Sequence, residues 1–234
     1  MNRLHISLDD VKGIFKALIN NGFDSIFDTR TLSYLKYLHD KYGVSFNLFC
    51  TYCQEEYSLA RVSEKYAREF KENSGWLDLC FHCFEEMDDY IHMEEDAFLN
   101  KYDAFMRERV RLTGKTTDVE ILRIHRFGAN ESICNCLRKR GVRNLLCSDD
   151  LRKNYYLDDK ENTILHKEYY YYDSKKDISF YKSCTRLEDA ENILDEIERY
   201  KDLRIDVIPV FTHEWVMDRE DVRQKLADIC KVVS

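Results

Sequence analysis

The chain has 234 residues, of which 44% are apolar and 34% charged, and its formal net charge is −8. A chain of this length and composition can bury a full core, and its acidic balance argues against a nucleic-acid partner, because binding to phosphates needs a basic surface. The basic run from Arg138 to Arg143 does not alter this: cations in a last helical turn ahead of Gly141 are a common capping arrangement.

No apolar stretch has the form of a signal peptide or approaches the ~20 residues that span a bilayer, so a cytoplasmic protein with no membrane partner is expected. Nine cysteines, an odd number in a chain of this size, fit a reducing compartment better than a disulfide framework. With a single proline, Pro209, and no Gly/Ser-rich joint, residues 1–234 read as one domain.

The first element is a short apolar strand, His5 to Leu8, that ends in two adjacent carboxylates, Asp9 and Asp10. An ionised carboxylate at the end of a buried strand is costly unless it is paired or bound to metal, so the pair marks a cleft. A helix over 29–42, with Leu32, Leu35 and Leu38 on one face, leads through Gly43 to a strand over 44–49. A second helix over 63–72 leads through Gly75 to a strand over 76–81, and a third ends near Gly114 ahead of a strand over 120–127. A helix over 131–140 then leads through Gly141 to a strand over 142–147. Residues 163–185, rich in tyrosine, break the alternation and read as an antiparallel hairpin inserted between units, its tyrosines forming cross-strand pairs. A helix over 187–200, a strand over 205–211 and a helix over 218–232 close the chain.

Strands that alternate with helices imply an α/β protein with a parallel sheet. No glycine-rich phosphate loop follows the first strand, which removes the usual support for an open doubly wound sheet. A deformed β/α barrel of about seven parallel strands is therefore expected.

Titratable residues gather where the strands end: Asp9 and Asp10, then His82 with Glu85 and Glu86, His125 with Arg126, Asp149 with Asp150, and His213 with Glu214. In a barrel these ends share one face, the one on which catalytic groups are mounted. His125, Asp150 and Glu214 are expected to contact substrate there. The other histidines, His5, His39, His92 and His166, have no clear role at that face.

On these residues the sequence resembles the polysaccharide deacetylases, metal-dependent enzymes that remove acetyl groups from N-acetylated sugars. Ser7-Leu8-Asp9-Asp10 is similar to their first motif, and the resemblance implies that Asp9 is the catalytic base and Asp10 a metal ligand. Their second motif, a pair of histidines four residues apart, is matched by His82, with Glu86 in the second position. The Arg-containing strand end is approximated by Arg123-Ile124-His125-Arg126, which lacks the family's proline and implies a catalytic role for Arg126. The last motif is approximated by Thr212-His213-Glu214, which implies that His213 is the general acid. The first motif is followed by Val11 where the family has glycine.

The implied chemistry is coherent. One Asp, one His and one Glu can hold a divalent cation, zinc by ligand type. Such a cation activates water and polarises an acyl carbonyl, while a base and an acid on opposite sides move the protons. Because the first and last strands of a closed barrel are neighbours, Asp9 and His213 become spatial partners. The expected activity is removal of acetyl groups from an N-acetylated or O-acetylated carbohydrate. The alternative is a catalytically degenerate barrel that binds carbohydrate or a partner, which the replacement at Glu86 favours. The pairs Cys50/Cys53 and Cys80/Cys83 have zinc-knuckle spacing but lack the shaping Gly or Pro, and they read as small hydrophobes of strand ends.

Overall fold

The computed structural model describes residues 3–117, 119–201, 203 and 205–233, so both ends of the expected 1–234 domain lie outside the described residues. In chain order the elements are β1 (Arg3–Val11), α1 (Gly13–Asn20), α2 (Arg30–Tyr42), β2 (Phe46–Thr51), β3 (Cys53–Gln54), β4 (Tyr57–Ser58), α3 (Ala67–Asn73) and β5 (Leu77–Cys83). They continue with α4 (Glu95–Thr113), β6 (Ile121–Leu122), α5 (Glu131–Lys139), β7 (Asn144–Cys147), α6 (Asp159–Glu168), β8 (Tyr170–Asp173), β9 (Ile178–Lys182), β10 (Thr185–Arg186), α7 (Ile193–Lys201), β11 (Val207–His213) and α8 (Glu220–Val233).

Two arcs of parallel strands make up the core: one in the order β10-β11-β1-β2-β5, the other in the order β6-β7-β9 with β8 added antiparallel at its edge. Only Ser183 and Cys184 separate β9 from β10, and they continue the ladder on both sides, Ser183 N–H to Cys147 O at 3.1 Å and Cys184 N–H to Pro209 O at 2.8 Å. Counting β9 and β10 as one interrupted strand, seven parallel strands form a deformed β/α barrel.

The remaining seam lies between β5 and β6, which do not pair. Side chains close it. Arg109 of α4, 2% exposed, donates from Nε to Leu79 O at 2.8 Å on one side and from Nη1 to Thr117 O at 2.5 Å on the other. A buried guanidinium is tolerable here because carbonyls and the Asp78 carboxylate occupy its donors.

Helices cover the barrel with apolar faces set by their 3.6-residue period. Leu32, Leu35 and Leu38 of α2 are fully buried, and α2 ends at Gly43, whose φ of 69° is the left-handed cap that only glycine adopts without strain. Phe98, Tyr102 and Phe105 of α4 surround Phe81 of β5, with ring centroids 5.1–5.9 Å apart. Burial of a phenylalanine of this kind contributes about 1.5–3 kcal/mol.

Three expectations change. The segment 163–185 is not an inserted hairpin: Thr163 to Glu168 belong to α6, which opens on an Asp158/Glu161 capping box, and β9 is itself a barrel strand paired with β7. Only β8 is extra, and its tyrosines do face β9, Tyr170 lying against Tyr181 at 5.1 Å. The fourth strand is two residues long, because His125 to Phe127 form a 3-10 turn. α1 and α6 were not foreseen: each is a single short amphipathic stretch, and although Gly22, with a left-handed φ of 62°, stops α1, α6 ends at Tyr169 with no glycine.

Candidate metal centre

Adjacent residues of a strand point to opposite faces, so a tandem Asp pair cannot by itself line one cleft. In β1 a bulge resolves this. The pairing with β2 shifts between Leu8 and Val11, and Asp10 takes a left-handed φ of 55°, a conformation that Asp tolerates better than most residues. Asp9 therefore stays in the barrel interior, 2% exposed, while Asp10 is turned to the mouth.

The Asp9 carboxylate accepts from Arg123 Nη1 at 2.8 Å. Arg123, with no exposed surface, also donates to Ser7 Oγ at 3.0 Å and Ser183 Oγ at 2.9 Å, and lies 4.3 Å over the Phe211 ring. Thus Arg123 is the arginine that faces Asp9. Arg126 points to solvent, because left-handed φ values of 58° at Arg126 and 56° at Phe127 swing the chain after Ile124.

The same turn carries His125 inward. Its Nδ1 lies 3.4 Å from Asp10 Oδ1 and 3.3 Å from His82 Nε2, and His82 Nε2 lies 3.4 Å from Asp10 Oδ1. Among the described residues these three form the one convergent group of metal-type donors. His82 Nδ1 is engaged with Arg123 O at 2.8 Å, an arrangement that leaves the Nε2 lone pair toward the group. Asp10 Oδ1 is buried with no hydrogen-bond partner. Burial alone would raise the Asp10 pKa, but the two imidazoles outweigh it and hold the carboxyl well below its usual range.

These distances permit a test of fit. Ligand atoms about 2.0–2.1 Å from a tetrahedral cation lie roughly 3.3–3.4 Å apart, and the three donors already have that spacing. A carboxylate and two imidazoles are also a suitable donor set for zinc or a similar divalent ion.

Glu86 is not in this group. Its carboxylate is ion-paired with Lys12 and accepts from Gln54 Nε2 at 3.2 Å, and His125 from the turn after β6 stands third beside Asp10 and His82. The four-cysteine arrangement does not form either: all nine cysteines are free thiols, and the pairs do not converge.

His213 closes the other side of the mouth. Its Nε2 is 4.0 Å from Asp10 Oδ2, and its Nδ1 bonds the Glu188 carboxylate, which is itself fixed by Thr212 Oγ1 at 2.8 Å. Desolvation pulls the imidazole pKa down, but the bond to Glu188 and the negative charges of Asp9 and Asp10 prevail, and the pKa lies above its ordinary value. Glu188 has no sequence signal other than its acidity, since it sits outside any strand.

Two other strand-end acids serve the backbone or local loops. Glu214 accepts from the N–H groups of Lys12 at 2.9 Å, Gly13 at 2.6 Å and Ile14 at 2.6 Å, which caps α1. A side chain at Gly13 would meet Glu214 Oε1 at 2.7 Å, so it would displace the carboxylate from this cap. Asp150 is half exposed and pairs with Arg152, whose hydrogen bond lowers its pKa to about 2.

No protein-family model matches the sequence, and no curated protein matches it either. The fold does have solved counterparts. A 4-alpha-glucanotransferase from Thermococcus litoralis superposes with a TM-score of 0.61 at 12% identity, over 98% of this chain and 38% of that one. A mutant of a CE4 family pseudoenzyme of Bacillus anthracis gives 0.54 at 8% identity, over 99% of this chain and 62% of that one. A protein described as a putative polysaccharide deacetylase from Mycobacterium smegmatis gives 0.52 at 11% identity, over 97% and 83%. The chain thus spans less than two thirds of the first two structures, and what it shares with all three is the fold.

Proposed function

We propose that this chain, whose barrel has the polysaccharide-deacetylase fold, is a metal-dependent hydrolase that removes acetyl groups from an N-acetylated or O-acetylated carbohydrate. The observation that carries the reading is the set of three donor atoms, Asp10 Oδ1, His82 Nε2 and His125 Nδ1, spaced 3.3–3.4 Å apart beside an acid and a base. In this proposal His125, rather than Glu86, completes the ligand set, and the cation is zinc or a close divalent relative. A divalent cation held there would polarise the acyl carbonyl and make water a better nucleophile near neutral pH.

The residues of the chain do the rest. Asp9, oriented by Arg123, accepts the proton of the attacking water as its oxygen bonds to the acyl carbon. His213 is held by Glu188 at Nδ1 and offers a proton from Nε2 to the departing nitrogen or oxygen as the acyl bond breaks. The parallel pairing of β1 with β11 sets Asp9 directly opposite His213, which supports their working on one bond from neighbouring strands.

The test is elemental analysis of the purified protein together with assay on N-acetylated oligosaccharides. Bound divalent metal, with hydrolysis lost in Asp9→Asn, supports the proposal. A protein that binds the sugar and no metal, with no turnover, overturns it in favour of a binding barrel.

A further inference from the structure

The opposite end of the barrel, where the strands begin, opens into a cavity of about 710 Å³ bounded by β1, β2, β5 and the chain before β6. His5 lies at its inner side. On β1 the residues His5, Ser7 and Asp9 share the interior face, and Ser7 and Asp9 both reach Arg123 within the barrel. His5 is 5% exposed, and neither ring nitrogen has a hydrogen-bond partner. A buried imidazole normally satisfies both nitrogens, because a bare donor or acceptor keeps its full desolvation penalty.

The wall beside it is built and charged. Asp78 takes Arg109 Nη2 at 3.1 Å and Lys115 Nζ at 3.0 Å, and Asn47 lies in the same wall. Among the described residues, Arg3, Arg109 and Lys115 face the cavity against the carboxylates Asp78 and Glu120. Burial, with the positive charges of Arg123 and Arg3, keeps the His5 pKa near 3, so at neutral pH the ring is uncharged and one nitrogen carries a donor hydrogen.

We propose that this mouth is a second binding site, separate from the candidate metal centre, for a phosphate-type oxyanion, free or as a phosphate ester, received by Arg3 and Lys115 with His5 as the innermost donor. The proposal does not depend on the hydrolase reading.

The experiment is calorimetric titration of the full chain with inorganic phosphate and, separately, with glucose 6-phosphate at neutral pH. Saturable binding is expected, weakened about tenfold or more by Lys115→Ala and by His5→Phe, and unchanged by Asp10→Asn. Tighter binding of the ester identifies an esterified ligand, and equal binding the free ion. If His5→Phe does not fold, movement of the His5 imidazole nitrogen resonances on addition of phosphate, lost in Lys115→Ala, serves in its place. The proposal is overturned by absence of saturable binding at about 10 mM phosphate, or by binding that Asp10→Asn abolishes and Lys115→Ala leaves intact.

Discussion

Arg123 and Asp9 form a fully interior ion pair, Nη1 to Oδ1 at 2.8 Å, with neither side chain more than 3% exposed. A buried pair is expensive to desolvate, and removing one partner leaves the other charge uncompensated. Arg123→Met should therefore destabilise the protein by about 3–5 kcal/mol, measured by urea unfolding. The double variant with Asp9→Asn should recover part of that loss, and a double variant no more stable than Arg123→Met would count against the pairing.

Metal affinity separates His125 from Glu86. His125→Ala removes one of three convergent donors and should abolish stoichiometric zinc binding, whereas Glu86→Ala, which breaks only the contacts to Lys12 and Gln54, should retain it. Zinc titration with a competing chelator gives the answer. Loss of metal in Glu86→Ala alone would restore the ligand set implied by family resemblance.

Glu188 should act through His213. With Glu188→Gln the bond and negative charge that raise the imidazole pKa are weakened, so the pKa falls. A general acid must be protonated to function, so the alkaline limb of the rate profile should move to lower pH, with little change in substrate KM. Titration of His213 by NMR checks the direction independently of activity.

His5 makes stability depend on pH. Its folded pKa is depressed to about 3 against 6.5 for an unperturbed histidine, so the unfolded chain binds the proton first as pH falls. Its contribution is fully present above pH 6.5 and is lost progressively as pH falls toward 3, by at most about 5 kcal/mol. His5→Phe should flatten this acid limb in unfolding measured from pH 7 downward. An unchanged slope would show that His5 does not remain neutral in the folded state.

Much of the architecture was legible because it rests on local periodicity. Apolar spacing in α2, glycine stops at Gly43 and Gly114, and apolar runs ending in acids or histidines follow from the few residues on either side. The second arc was harder to read. β6 has only two residues, and β9 resembles a hairpin arm, since its place beside β7 is a long-range pairing that no local pattern records.

By itself the sequence determined the alternation of helix and strand, and the strand-end positions of Asp9, Asp10, His82 and His213, because side-chain period and turn chemistry act over short distances. The tertiary structure alone decided which of those side chains meet. Left-handed backbone at Asp10 and Arg126 turns Asp10 and His125 toward one point, puts Arg126 in solvent, and leaves Glu86 to Lys12. Strand order sets Asp9 against His213 and brings Arg123 across the interior to Asp9. A one-residue change of register or a single φ reverses the face a side chain occupies, and contacts across the barrel settle that choice.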